Sequence, residues 1–560
     1  MLRSIGLMGT ICGLLLSVIS FKPNASASGP YMVGSANTVT ADPNVTRPST
    51  KPCIVELFKD ASFYDFNVEN FSYAPPAECP GPWAKVVLEA DISLNAGIQY
   101  DRTANFWLGP YSIYFGTTAE PSPNLGPSWH IESDLTDYSS IFYAAQSGQA
   151  DIGNTLCCGL TSTIYASATL EFYPLAEGQS SPVTADQVYA LSAGPSGGTV
   201  TLNSGTDTLS GTFTLPTNVQ SAYLDVFSQS QSNDEFWYTC VPNDVSSELE
   251  SCGNTAFRET EITIDGQPAG VAPVFPWIFT GGIDPYLWFP IPGVQTLNFI
   301  PYRVNLTPFA GMLSDGQPHT VSLSVYNADS YFSATASLLV YLDKDSTQVT
   351  GAITANTLAQ PNPTVTENLH VNSNYIHGNV LVTSNRNFVI SGYVNTSHGK
   401  ITTKVAQAAT FSSNQFFNIT ANQFLQEISQ TSKISSTTTT SGGGEPTMVK
   451  NQVFNFPLNL DINELVQSSG GFNLTTTADQ NYTATVNTTA SGQTTYNSSM
   501  VNSAQHQDTL EFDSGGNLLG NTGQSAAQQY NYSNSGGVNY QCDLTAAANV
   551  LTAFSPTCAQ

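Results

Sequence analysis

The sequence predicts a mainly β protein built of sandwiches or jelly rolls. Three observations carry that expectation. Short β-branched and aromatic runs recur along the chain, Gly, Pro, Asn and Asp punctuate them, and helical periodicity is scarce. At 560 residues the chain is long enough for about three or four domains of ~100–200 residues. A hydrophobic content of 40%, with 29 Phe, 25 Tyr and 6 Trp, argues against disorder.

The strand runs begin at Ala84–Ala90, Ser112–Gly116, Ala166–Tyr173 and Val200–Leu202. Ser221–Phe227, Glu261–Ile264, Thr320–Tyr326 and Ser337–Leu342 continue the series. Many short strands with regular turn signals suit two packed sheets. All six Trp lie before residue 289, and the chain then becomes rich in Ser, Thr, Asn and Gln. That shift places a domain boundary near Lys344–Asn356 and the chemistry in the first half. Beyond it, Gly378–Thr383, Phe388–Tyr393 and Gln452–Phe456 read as strands. Phe424–Ile428 reads as one short helix, and Ser432–Pro446 as a flexible low-complexity loop. The polar, alternating 470–540 region fits either a sheet ribbon or partial disorder.

Charge narrows the function. With 42 acidic against 15 basic residues the formal net charge is −27. Such a surface repels phosphate backbones, so nucleic acid is excluded as a partner, and anionic lipid is disfavoured. It also suits an acidic medium, where protonation relieves self-repulsion. A mildly acidic working range is expected.

Residues 1–27 read as a signal peptide. Arg3 precedes an apolar run from Ile5 to Phe21, and Ala25-Ser26-Ala27 offers a cleavage site. The expected address is extracellular or an acidic lumen such as a vacuole, with no membrane association after signal removal. Loss of Cys12 leaves an even set of cysteines, as disulfides require. Cys240 with Cys252, Cys542 with Cys558 and Cys53 with Cys79 are the expected pairs; the partners of adjacent Cys157 and Cys158 stay open. Sequons at Asn44, Asn70, Asn305, Asn395, Asn418, Asn473, Asn481, Asn487, Asn497 and Asn531 suggest glycosylated surface loops. His and Cys spacing forms no metal motif, so neither metal nor cofactor is expected. Oligomeric state is not set by the sequence.

Four stretches gather carboxylates and aromatics. Gln99–Gly109 (QYDRTANFWLG) precedes Gly116–Ser122 (GTTAEPS). Adjacent Asp101 and Arg102 point to opposite faces of a strand. A carboxylate on a concave face can activate water; a structural network at the sheet rim is the competing reading. Asn233–Tyr238 suits sugar recognition, or is an acidic turn before a core Trp. Ala256–Glu261 alternates Arg258 with Glu259, as ordinary exposed strand polarity also would. Trp129–Tyr138 adds acids, of which Asp134–Asp137 also reads as a helix start. Gly194–Gly198 spells GxSxG but leads into a strand rather than a helix, so no nucleophile elbow is assigned.

These stretches, with Pro75–Leu88, resemble the peptide N-glycanase A family over about residues 50–345. A more distant resemblance is to peptide N-glycanase F, with two side-by-side jelly rolls. The resemblance implies jelly-roll domains at 50–205 and 206–348, then a β-rich region at 349–560. It implies hydrolysis of the amide between an asparagine side chain and the innermost N-acetylglucosamine of glycopeptides and glycoproteins. Asp101 takes the place of the catalytic carboxylate and Arg102 that of its neighbour. Glu235 is the preferred second carboxylate and Glu259 the next. Trp107, Trp129, Trp237 and Arg258 are the remaining expected substrate contacts. A non-catalytic glycan-binding protein and an endo-acting glycosidase stay open as alternatives.

Overall fold

The computed structural model describes residues 31–559. The signal-peptide reading falls on residues 1–27 and so lies outside the described residues. Five antiparallel sheets account for the strands.

The first sandwich pairs two four-stranded sheets. One runs Cys53–Phe63, Ile164–Pro174, Trp83–Leu94, Ser128–Asp134; the other runs Glu69–Tyr73, Gln146–Ile152, Thr103–Leu108, Tyr111–Thr117. Alternation explains the packing. Along Trp83–Leu94 the side chains of Val86, Leu88, Ala90, Ile92 and Leu94 turn inward and are buried. They meet Phe106 and Leu108 of the facing sheet in one core.

The second sandwich is built likewise. One sheet runs Val200–Leu202, Tyr331–Leu342, Val219–Gln231, Tyr302–Asn305, with Gln187–Leu191 also paired to Tyr331–Leu342. The other runs Leu209–Thr214, Pro318–Tyr326, Glu259–Ile264, Gln267–Pro273. Gln187–Leu191 and Val200–Leu202 therefore belong to the second sandwich, although they precede the sequence boundary at 206. Their pairing partner arrives late in the chain, and local composition carries no sign of it.

From Thr350 onward the chain forms one 11-stranded sheet. Several of its strands reach 22 residues, such as Tyr375–Thr396 and Gly399–Thr420. Its inner face supplies Ile390, Phe411, Phe417 and Leu458 to a core shared with Trp237 and Phe257 of the second sandwich.

Three sequence expectations are corrected here. Phe424–Ile428 and Ser432–Gly442 both lie in the strand Gln423–Gly442, not in a helix and a loop. A Thr/Ser run is a poor core former, but here each residue pairs on both sides and one face meets water. The sequons Asn395, Asn418, Asn473, Asn481, Asn487, Asn497 and Asn531 lie within strands rather than loops. Strand alternation turns each of them to the face opposite the sandwiches. The polar 470–540 region resolves to sheet.

Disulfides join Cys53 to Cys79, Cys240 to Cys252 and Cys542 to Cys558. No helix among the described residues is long and apolar enough to cross a membrane.

Candidate active site

The site lies at the seam between the two sandwiches. Gln229 and Gln231 donate to the Thr103 hydroxyl at 3.1 and 3.3 Å. This joins the end of Val219–Gln231 to the start of Thr103–Leu108. On the other side Thr280 donates to the Thr118 carbonyl at 3.0 Å and accepts from the Glu120 N–H at 3.1 Å. Three carboxyls meet there: Asp101 before one strand, Glu120 after the next, and Glu235 in the turns that follow Val219–Gln231.

Their proton affinities are spread by position. Burial pushes Asp101 up to about 6, although its hydrogen bonds and Arg102 pull the other way. Glu120 stands well above the ordinary range, through burial and then the negative Asp101 beside it. The Asp101 N–H donates to Glu120 Oε1 at 3.1 Å, so the two residues are tied together as well as electrostatically coupled. Burial, and then Asp101, lift Glu235 to about 8. At mildly acidic pH Glu235 therefore carries its proton and Asp101 sits near its midpoint, with Glu120 displaced in the same upward direction.

Arg102 is fixed beside them. Its N–H donates to the Thr118 hydroxyl at 2.8 Å and its guanidinium to Gln99 Oε1 at 2.6 Å. Burial lowers its proton affinity against the pull of Asp101 and Glu120. The backbone N–H of Gly281 donates to Asp101. A Cβ at Gly281 would sit 2.1 Å from Glu120 Oε1 and 2.6 Å from Asp101 Oδ1, so only glycine lets the two carboxyls meet. Tyr100 is 48% exposed beside Arg102, 6.0 Å from its guanidinium. Phe236 and Tyr331, both partly exposed, complete the aromatic lining on the Glu235 side.

Of the residues expected from sequence, Asp101, Arg102 and Glu235 come together. The tryptophans do not. Trp107 and Trp237 are 0% exposed and Trp129 is 4% exposed, so none has a face free to stack on a sugar. Trp107 is covered by Gly197, and Trp237 packs on Phe411 of the large sheet. A Trp on a strand is core material first.

Glu259 and Arg258 are also structural. Arg386, from the large sheet, pairs with both Glu259 and Glu261. Arg258 and Asp234 form a fully buried pair at 2.9 Å. Trp129–Tyr138 runs into a short 3-10 helix, Thr136–Tyr143, whose N-cap is Leu135 with no side-chain cap hydrogen bond; Asp134 sits one residue earlier and accepts from the Thr136 N–H at 3.0 Å. Glu89, His130 and Glu132 lie close enough to hold a cation, but Arg47 already bridges Glu89 and Glu132.

The residue missed is Glu120. It stood in GTTAEPS, and the signal was a carboxylate at a strand end facing the glycine pair Gly281-Gly282. That facing is tertiary and cannot be read along the chain.

Residues 43–359 match the family model described as peptide N-acetyl-β-D-glucosaminyl asparaginase amidase A. The chain belongs to that family. It is an amidase of the peptide N-glycanase class. This amidase A family member is 31% identical over 390 residues to the peptide-N4-(N-acetyl-β-glucosaminyl)asparagine amidase A of Prunus dulcis. That alignment covers 66% of this chain and 67% of the relative. Similar solved structures include PNGase F, a glycosylasparaginase from Flavobacterium meningosepticum. It is 14% identical, with 52% of this chain and 96% of that chain covered and a TM-score of 0.35. PNGF-II is 12% identical, with 52% and 66% covered and a TM-score of 0.38.

Proposed function

We propose that the chain is a secreted amidase that cleaves between an asparagine side-chain nitrogen and the innermost N-acetylglucosamine of N-linked glycopeptides and glycoproteins. Asn becomes Asp and the glycan leaves as a glycosylamine. The observation that carries this reading is the cluster of Asp101, Glu120 and Glu235, with proton affinities held apart at one seam.

Amide hydrolysis needs a water made nucleophilic and a proton for the departing nitrogen. Asp101 suits the first task, since it is the carboxyl of the three that ionises most readily. Glu235, protonated up to about 8, suits the second. Glu120 holds Asp101 in place through the Asp101 N–H. Arg102 and Tyr100 offer a cation and a ring to the sugar or the peptide. The secretory route rests on the leader and on the paired cysteines.

The deciding experiment is mass spectrometry of a defined N-glycopeptide after incubation at mildly acidic pH. Conversion of the glycosylated Asn to Asp supports the amidase. A peptide that keeps one N-acetylglucosamine would make it a glycosidase, and untouched peptide would favour a glycan-binding role.

Two expected results arise from the geometry. Gly281→Ala should lower turnover about 10²-fold, because a Cβ drives Asp101 and Glu120 apart by more than catalysis tolerates. The far-ultraviolet spectrum should stay unchanged. Wild-type turnover in this variant would show that the carboxyl contact is dispensable.

The second concerns pH. Burial raises Asp42 and Asp101 to about 6, and Glu235 and Asp284 to about 8. Unfolded carboxyls titrate near ~4. The fold thus retains protons that the unfolded chain has lost. This contribution to stability is complete below the unfolded pKa and is lost as pH rises through the folded values. The thermal midpoint should fall as pH rises from about 5 to about 8. A midpoint that rises over that window would refute the assignment.

A further inference from the structure

Phe66, Ile98 and Leu156 are 71%, 40% and 45% exposed, and the core uses none of them. They stand on three loops far apart in sequence. Strand register brings those loops to one end of the first sandwich. Phe63 and Leu94 both pair with Ile164, where their strands meet the third loop. Ala104 pairs with Ile152, and Thr103 with Thr117. Asp101 and Glu120 therefore leave the sheets at this same end.

Buried amides knit the loops together. Asn154 is 0% exposed, and its side chain donates to the carbonyls of Phe63 and Ser162 at 2.9 and 3.2 Å. Its backbone N–H donates to the Asp65 carbonyl at 2.9 Å. The Gln99 side chain donates to the carbonyls of Thr155 and Ser162 at 3.0 and 3.3 Å, and accepts from the Arg102 guanidinium. The Thr161 N–H donates to the Ile98 carbonyl at 2.9 Å. The Phe66 ring lies over Gly153, where a Cβ would stand 3.1 Å from Cδ1. Apolar side chains held in the open on fixed loops mark a binding surface.

The two sides of the site differ in chemistry. Glu235, with the rings of Phe236 and Tyr331, offers a polar group and apolar faces, as a sugar requires. The side chains of Phe66, Ile98 and Leu156 offer neither donor nor acceptor. Sugar hydroxyls pressed there would lose water and gain no partner, whereas an apolar side chain gains by leaving water. Position agrees. An asparagine whose side-chain amide meets Asp101 brings its backbone alongside. Ile98 precedes Asp101 by three residues, a span of at most ~10 Å. Peptide residues about two to four from the asparagine reach as far.

We propose that this surface binds apolar side chains of the substrate peptide about two to four residues from the glycosylated asparagine, so that Phe66, Ile98 and Leu156 set specificity for the peptide rather than for the glycan. This deepens the glycopeptide amidase reading and rests on it.

The test compares two N-glycopeptides that carry one glycan and differ in having Leu or Ser at the flanking positions. With full-length protein, KM should be about tenfold lower for the Leu peptide at equal kcat, because the contact is the same before and during reaction. Phe66→Ser/Ile98→Ser/Leu156→Ser should raise the KM of the Leu peptide to that of the Ser peptide. Its thermal midpoint should match the wild type, since exposed side chains change and the Asn154 and Gln99 anchors remain. Titration of the same peptides into Asp101→Asn reads the preference as Kd, without turnover. Absent hydrolysis with that preference intact would strike the amidase reading alone. The proposal is overturned if wild type treats both peptides alike or if the triple variant still prefers Leu. It is also overturned if the triple substitution instead abolishes a dimer seen by light scattering or binding to phosphatidylcholine vesicles.

Discussion

Replacing Asp101 with Asn is expected to lower turnover of an N-glycopeptide by ~10²–10⁴-fold, the range for loss of a general acid or base. The substitution is nearly isosteric. It keeps the backbone N–H that meets Glu120 Oε1 and the space beside Gly281. What it removes is the one carboxyl of the cluster that ionises near 6. The limb of the rate profile near that pH should vanish with it, while the thermal midpoint at acidic pH changes little. Glu235→Gln should act at the other end of the profile, removing the proton source that persists to about 8. Full activity in Asp101→Asn would refute the catalytic assignment outright.

The second large effect is on stability. Arg258→Ala should cost about 3–5 kcal/mol, because it strands a buried carboxylate. Both side chains of the Arg258–Asp234 pair are 0% exposed. The guanidinium also donates to the Thr255 carbonyl at 2.8 Å and the Phe257 carbonyl at 3.1 Å. Asp234 in turn accepts from the N–H groups of Asp329 and Ser330 at 2.7 and 2.9 Å. One ion pair thus knits three segments, and Glu235 follows Asp234 directly. A shift in the urea midpoint without change in slope measures the cost. Activity should fall too, as the turn carrying Glu235 loosens. Arg258→Lys should recover only part of the loss, since an ammonium cannot reproduce the fork. A midpoint unmoved by Arg258→Ala would show the pair to be dispensable.

Much of the fold was legible because strands declare themselves through alternation. Trp83–Leu94 and Pro318–Tyr326 bury every second side chain, and their sequences show it. The Thr/Ser-rich strand Gln423–Gly442 did not, because half its residues meet water and its pairing partners supply what its own composition lacks. At the site, Asp101, Arg102 and Glu235 were found through their motifs. Glu120 was not, because what singles it out is the backbone of Gly281, far along the chain. The tryptophans misled for a simple reason. Exposure, which stacking requires, is a property of the packed sheets and not of the residue. Arg258 and Glu259 misled likewise, since buried ion pairs and catalytic pairs use the same letters.

Arg386 lies beyond residue 359, where the match to the family model ends, yet it holds Glu259 and Glu261 in the second sandwich. Phe411 likewise covers Trp237 and Phe257 from outside that span. The segment matched by the family model therefore does not supply all the side chains that bury its own interior. A chain cut at that limit would keep every carboxyl of the site and lose the wall behind it. For this protein the span matched by the family model borrows part of its interior from the large sheet that follows it.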